Sequence, residues 1–555
     1  MVNPSYQQPV KQAARMACLG HAVEILTTRR DRACCVPGSY VREVRETLLK
    51  RRDKDSVGKS DARAASALTD AVLKRWEGFH ASQIGRRSPG DLSVCYLGGP
   101  EPQNDLTALV SLGIHPNNIW AFESDKDIYL AAVEAARTSS FPSLKIHHGS
   151  IEQFFLSIPK RFDIVYLDAC GSLPSSDQKT LRLIATVLRN HRLASPGVLI
   201  TNFALPAPQP HHTKFVASYL YPKIFLEHEA DDGSAGACEG AEANSLFLVA
   251  EDPKESFVAQ VQAAFPDYYG QYITRQIMDL ASVVVPWTRS LDAAYWNLFF
   301  NVAPKEVVVA ASAMLDMNSS DEDLAGLAVS DAGMYPLQST IGALELLSNQ
   351  DGLLSGIMKT WIGQMTGLPT PGANMDSRKS ILCYDTLRST RRFDTVGFGR
   401  GMELFDWRKQ YQFCDLPTYT LAFDLVVNQL AYPMHYVTDA IRRWRYVAKN
   451  TEMFLDAVVL DECRYLYEWF PTVDLLDTAV GDLQEQLTYR FALDGLAKNR
   501  RWYNPEYFYG ASVIDQFEPG FEAKYVELRK TLTAPGQGSL TKTRLPQPQS
   551  PSEQR

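Results

Sequence analysis

Several features are missing from this chain, and each absence removes a class of protein. Its nine cysteines include no Cys-x-x-Cys pair, and the adjacent Cys34 and Cys35 cannot readily bridge to each other, so an extracellular disulfide framework is excluded and reduced thiols are expected. No apolar run approaches the roughly 18 residues needed to cross a bilayer. The opening Met1-Val2-Asn3-Pro4 lacks the basic, apolar and small-residue order of a secretory leader. The expectation is a cytoplasmic protein with no membrane contact. Positive charge is also short: a formal net charge of -8 leaves nucleic-acid binding to local patches. Gly-x-Ser-x-Gly and Gly-x-x-x-x-Gly-Lys-Ser/Thr are absent, which removes the serine-hydrolase elbow and the P-loop.

What is present is ordinary globular composition, 45% hydrophobic and 22% charged over 555 residues, enough for two or three domains. Residues 1–88 read as an amino-terminal helical cap, with Val23, Leu26, Val41, Val44, Leu48, Leu68, Val72 and Leu73 at helix-like spacing. Ser88-Pro89-Gly90-Asp91 is a turn, after which strands and helices alternate through residues 89–252. Strands are expected at 94–97, 119–123, 144–147, 162–168 and 198–203, with helices at 105–112, 125–136, 151–158 and 177–190 between them. Residues 224–228 and 245–249 are expected to finish the sheet as a hairpin around an exposed loop at 231–243. The fold class is therefore α/β, a doubly wound sheet. Residues 253–532 read as a large, mostly helical carboxyl-terminal domain, with amphipathic stretches at 291–300, 341–347 and 419–430. Residues 533–555, rich in Pro, Gln, Ser and Gly, read as a disordered tail.

The ends of the expected strands carry the chemistry. Gly98 and Gly99 follow the first strand directly, where a missing side chain lets backbone approach a ligand. Glu123 ends the second strand about 25 residues later, a position from which a carboxylate accepts hydrogen bonds from both ribose hydroxyls. Asp125 is placed to cap the next helix. Gly149-Ser150-Ile151 follows the third strand, where a polar group and an apolar contact can hold an adenine ring. Asp168 ends the fourth strand and can orient a substrate or accept its proton, and Asn202, ending the fifth, is a weaker candidate for substrate contact. An adenosine-bearing cofactor is the expectation for this crevice. His147 and His148 are read as one buried and one solvated histidine, because no carboxylate or cysteine lies at ligand spacing; no metal site is expected.

The stretch from Asp91 to Glu251 resembles class I S-adenosylmethionine-dependent methyltransferases. The resemblance rests on the turn Leu97 to Glu101, on Glu123-Ser124-Asp125, on Gly149-Ser150-Ile151 and on Val165-Tyr166-Leu167-Asp168. It implies a Rossmann-like methyltransferase sheet and S-adenosylmethionine as cofactor. Gly98 and Gly99 would lie beside the methionyl part, Glu123 beside the ribose, and Gly149, Ser150 and Ile151 beside the adenine, with Glu101 and Ser124 also binding the cofactor, and Asp168 would be catalytic. The chain departs from the usual first motif, with Tyr96 at the position of an acid and Pro100-Glu101-Pro102 in place of later glycines. After the fourth strand, Asp168-Ala169-Cys170-Gly171 replaces the Asn/Asp-Pro-Pro-aromatic run of base amino methyltransferases, which disfavours adenine methylation of DNA. The acceptor, nucleic acid or small molecule, is left open. Two alternatives accompany this reading: a catalytically silent sensor or scaffold subunit of a larger assembly, and an aminopropyltransferase of the spermidine synthase type.

Other constellations have plainer readings. Arg442-Arg443-Trp444-Arg445-Tyr446 and Asn499-Arg500-Arg501-Trp502-Tyr503 interleave guanidinium groups with rings, which suits nucleic-acid or protein contacts but equally a helix-packing face. The charge runs Arg29 to Arg32 and Lys50 to Lys54 read as solvated faces, and His211-His212 as a surface loop. Asp461 to Tyr465 and Trp469 read as core packing in a helical aromatic stretch.

Overall fold

A computed structural model describes residues 8–50, 65–169, 171–173, 179–207, 212–217, 253–285, 434–469 and 483–500, with a few shorter pieces besides. Residues 51–54, 224–228, 231–243, 245–249, 291–300, 341–347, 419–430, 501–503 and 533–555, with Cys170 and His211, lie outside the described residues.

Helices α1 (Pro9–Leu26), α2 (Tyr40–Lys50) and α3 (Asp70–Ile84) precede the sheet. Proline at the first turn of α1 fixes φ where no intrahelical donor is needed. Its buried face, Ala14, Cys18, Leu19, Ala22, Val23 and Leu26, follows the three- and four-residue spacing of one helix side. The Thr69 hydroxyl accepts from the Val72 amide and caps α3.

The strands β1 (Val94–Leu97), β2 (Ile119–Glu123), β3 (Lys145–His148), β4 (Phe162–Leu167) and β5 (Leu193–Ala204) pair in parallel in the order β3-β2-β1-β4-β5. Between them run α4 (Gln103–Ser111), α5 (Lys126–Arg137), α6 (Ile151–Ser157) and α7 (Lys179–Arg189). The expected α/β class is what the strand pattern folds into: a mostly parallel, Rossmann-like sheet whose order reverses between β1 and β4. Every residue of β4 is buried, as a central strand with both faces covered requires.

Alternate strand residues enter two different cores. Val94, Tyr96, Ile164, Tyr166, Val198 and Ile200 face the core shared with α1, α2, α3 and α4. Cys95, Val165, Leu167 and Leu199 face the other, built with α6, α7 and later helices α8 (Pro253–Ala263) and α9 (Phe265–Asp279). This is the period of two of a pleated strand. The amino-terminal helices are thus one layer of the sandwich.

The far side of β5 holds a difference from the sequence reading. β8 (Thr451–Asp461) lies antiparallel to β5, Val198 opposite Val459 and Asn202 opposite Leu455, and takes the edge that a hairpin from 224–228 and 245–249 would need. β6 (His435–Tyr436) and β7 (Arg442–Ala448) pair with the outer side of β8. Residues 442–448 and 451–461, expected in a helical region, are therefore strands. The physical reason is that Met453 to Leu460 is a nearly continuous apolar run, which periodicity cannot assign to strand or helix. Helices α10 (Arg464–Tyr467) and α11 (Leu483–Arg500) follow, and α11 returns to the first core through Leu487, Phe491 and Leu496. No helix among the described residues is long and apolar enough to cross a membrane.

Candidate functional site

A cleft of about 670 Å³ opens at the carboxyl ends of β1, β2, β3 and β4, at the point where strand order reverses. In open α/β sheets that crevice is where ligands bind, because loops diverge there and leave backbone groups unpaired. The structure brings Gly98, Gly99, Glu101, Glu123, Ser124, Gly149, Ser150, Ile151 and Asp168 together on its walls.

The turn after β1 is set by two glycines with different duties. A Cβ on Gly98 would stand 3.3 Å from Ala121 Cβ and 3.5 Å from Pro102 Cβ, so a small residue is needed for packing. Gly99 has φ of +57°, with nothing within 4 Å of where its Cβ would stand. Tyr96, at the acid position, is fully buried, and its hydroxyl donates to Pro102 O at 2.6 Å, closing the Pro100-Glu101-Pro102 loop onto the strand. Glu101 accepts from Asn104 Nδ2 at 3.0 Å.

Backbone hydrogen bonds join the loops. The Gly98 amide donates to Phe122 O and the Gly149 amide to Glu123 O, each at 2.9 Å. Glu123 is half-buried, and its Oε1 accepts from the Asp125 amide at 2.9 Å. Asp125 Oδ1 accepts from the amides of Asp127 and Ile128 and caps α5 as expected. The Ser150 hydroxyl accepts from the Gln153 amide, capping α6. His147 packs on Phe122 and Phe154, and the exposed His148 stacks on Tyr129 with centroids 4.6 Å apart.

Asp168 sits at the other end of the cleft in a polar network. Lys11 Nζ lies 3.1 Å from its Oδ2, Tyr166 OH donates to the same oxygen at 3.5 Å, and Asn202 Nδ2 donates to Oδ1 at 2.9 Å. Asn202 is fully buried, and its Nδ2 also donates to Tyr446 OH at 2.8 Å. Asn202 therefore acts behind Asp168 and does not line the cleft, unlike the substrate contact expected of it.

Sequence reasoning missed Lys11, Arg15 and Asp105, all of which line the cleft. Arg15 Nε lies 2.5 Å from Asp105 Oδ1, close but not aligned as a hydrogen bond. Burial pushes the Asp105 carboxyl up to about 6 against the pull of Arg15. Burial works to lower Arg15, but Asp105, Tyr166 and Asp168 outweigh it and hold the guanidinium above its ordinary value. No spacing rule announces Lys11 and Arg15, because α1 reaches the cleft only through the tertiary fold. Arg182, exposed on α7, completes the rim.

The basic aromatic run at 442–446 is turned inward or paired. Arg442 donates to Asp439 O and Ile441 O, Arg443 is buried beside Asp456, and Arg445 pairs with Asp267 and Glu452. His212 bonds to Ala207 O at 3.3 Å, outside the cleft.

The fold and site thus define a doubly wound α/β protein with an open polar cleft at its switch point. No family model and no curated protein matches the chain. Among solved structures, the chain is similar to one provisionally described as a caffeoyl-CoA O-methyltransferase from Staphylococcus aureus, at 13% identity and a TM-score of 0.17, covering 42% of this chain and 90% of that one.

Proposed function

We propose that the cleft binds S-adenosylmethionine and that the protein transfers its methyl group to an acceptor. One observation carries this reading: residues from four separate strand ends, Gly98-Gly99, Glu123, Gly149-Ser150 and Asp168, share one open cleft at the switch point. The residues fit such a group. A cleft of about 670 Å³ lies within the roughly 300–1,000 Å³ of small-molecule sites, and the open side of Gly99 leaves its backbone accessible.

In this reading Glu123 accepts hydrogen bonds from the ribose hydroxyls, held in place by the Asp125 amide, with Ser124 beside it. Gly149, Ser150 and Ile151 flank the adenine, and Gly98, Gly99 and Glu101 border the amino-acid portion. The cofactor, when bound, supplies an electrophilic methyl group on a sulfonium. The chain's contribution is orientation, which can lower a barrier by roughly 7–11 kcal/mol. Asp168, fixed by Lys11, Tyr166 and Asn202, holds the acceptor or takes its proton.

Calorimetric titration with S-adenosylmethionine tests the reading: heat with the wild type and at least roughly tenfold weaker binding by Glu123→Ala are expected, since a lost charged hydrogen bond is worth about 1.5–3 kcal/mol. No heat with either protein overturns it in favour of a silent scaffold. Binding with transfer to an amine through the aminopropyl group of the decarboxylated cofactor would favour the aminopropyltransferase alternative.

A further inference from the structure

At the opposite end of the sheet from the cleft, three chain segments converge on one buried carboxylate. Asp461 ends β8, Cys463 lies two residues on at the start of α10, and Cys35 comes from the link between α1 and α2; Asp461 and Cys463 are fully buried and Cys35 is 7% exposed. The two Sγ atoms and a carboxylate oxygen all lie within 4.8 Å of one another. From this we infer that Cys35, Asp461 and Cys463 form a structural site for a thiophilic divalent cation of the zinc class, with the Tyr465 hydroxyl at the fourth position.

The spacing of the donor atoms supports this. Around a tetrahedral zinc with bonds of about 2.3 Å to sulfur and 2.0–2.2 Å to oxygen, neighbouring sulfur and oxygen ligands stand roughly 3.5 Å apart. Here Cys463 Sγ is 3.5 Å from Asp461 Oδ2 and 3.6 Å from Tyr465 OH. The Tyr465 and Asp461 oxygens, 2.7 Å apart, are drawn closer because a proton joins them.

The surroundings do what a second layer of partners does around a metal. Ser195 Oγ and the Cys463 amide donate to Asp461 Oδ1, and the Cys35 amide donates to Oδ2, each at 3.0 Å, so the carboxylate is oriented before any cation arrives. Among the described residues no lysine, arginine or histidine pairs with this carboxylate. Charge also permits the exchange. One dication replaces two thiol protons, which leave to solvent, and the buried charge stays at that of a single carboxylate. Two sulfurs select against calcium and magnesium, which take oxygen.

The test uses the full chain expressed in zinc-supplemented medium. Elemental analysis is expected to find about one zinc per chain more in the wild type than in Cys35→Ser/Cys463→Ser, and cobalt exchange to give sulfur-to-cobalt charge-transfer absorption that the double variant lacks. Equal metal content, or no such absorption, overturns the site. Should the variant fail to fold, alkylation of the wild type is followed peptide by peptide. Zinc is expected to slow labelling of Cys35 and Cys463 by roughly tenfold or more while leaving Cys18 and Cys95 unchanged, because a metal-bound thiolate is masked. Unchanged labelling, or recovery of a Cys35–Cys463 disulfide in place of bound metal, counts against it.

Discussion

Lys11, on the first helix, places its ammonium 3.1 Å from the carboxylate of Asp168 at the end of the fourth strand. The two side chains are 16% and 12% exposed, so this is a partly dehydrated pair at the edge of the cleft. It makes α1 part of the site wall. One turn further along the same helix, Arg15 meets Asp105, so two ion pairs tie α1 to the end of β4 and to α4.

Coupling between Lys11 and Asp168 is measurable by a double-mutant cycle. Lys11→Met and Asp168→Asn are each expected to lower stability to urea, and the pair to lower it by about 1 kcal/mol less than the sum, as residues in one network do. Strict additivity would mean that the ammonium and carboxylate do not interact in solution.

Asp105 gives a pH signature of opposite sign to most carboxylates. Its carboxyl is carried from 3.8 up to about 6 by burial, so the folded chain holds the proton more tightly than the unfolded chain. That contribution is complete below about 3.8 and is lost as pH rises through about 6. Wild-type stability relative to Asp105→Asn should therefore fall by up to about 3 kcal/mol between those limits. Urea melts at several pH values check this, and parallel curves for the two proteins would contradict it.

The sheet and the crevice were largely legible because they are local. The apolar runs of β1, β2 and β4 each end at glycine or acid, and helix caps at Asp125 and Ser150 mark where the next element starts. Other parts were not. The strand beside β5 comes from residues 451–461, separated from it by a long stretch of chain, and no local pattern announces such a pairing. Lys11 and Arg15 sit on a helix whose apolar face predicts only that it packs. Likewise Cys35 meets Asp461 and Cys463 only in three dimensions, so a search for metal-ligand spacing finds nothing there. Within the glycine pair, only Gly99 has a positive φ.

Gly99 therefore separates backbone from side-chain effects. Its φ of +57° costs an L-residue roughly 1–2 kcal/mol, and there is open space for a methyl group. Gly99→Ala should lose about that much stability, and Gly99→Asn less, because asparagine tolerates the left-handed region. Gly98→Ala, by contrast, is expected to destabilise through its 3.3 Å approach to Ala121 Cβ. Equal losses for Gly99→Ala and Gly99→Asn would argue against the backbone explanation.

Glu462 supplies the acid-side counterpart to Asp105. Burial alone would raise this fully enclosed carboxyl, but the His191 hydrogen bond at 2.8 Å, with Arg161 and Arg464, overrides it and holds the group at about 2 against an ordinary 4.5. Because the folded value is depressed, its contribution is present above about 4.5 and disappears as pH falls through about 2. Glu462→Gln should cost about 3 kcal/mol at neutral pH, less at pH 3, and flatten the acid limb of the stability curve. The cost arises at the junction of β4, β5 and the end of β8, where Arg161 comes from just before β4, His191 from the turn between α7 and β5, and Arg464 from α10. Loss of Glu462 should therefore loosen the carboxyl-terminal hairpin before the cleft, which amide hydrogen exchange can follow as faster exchange in residues 451–461 than in 94–97. If exchange rose first around β1, the clamp would have to lie elsewhere.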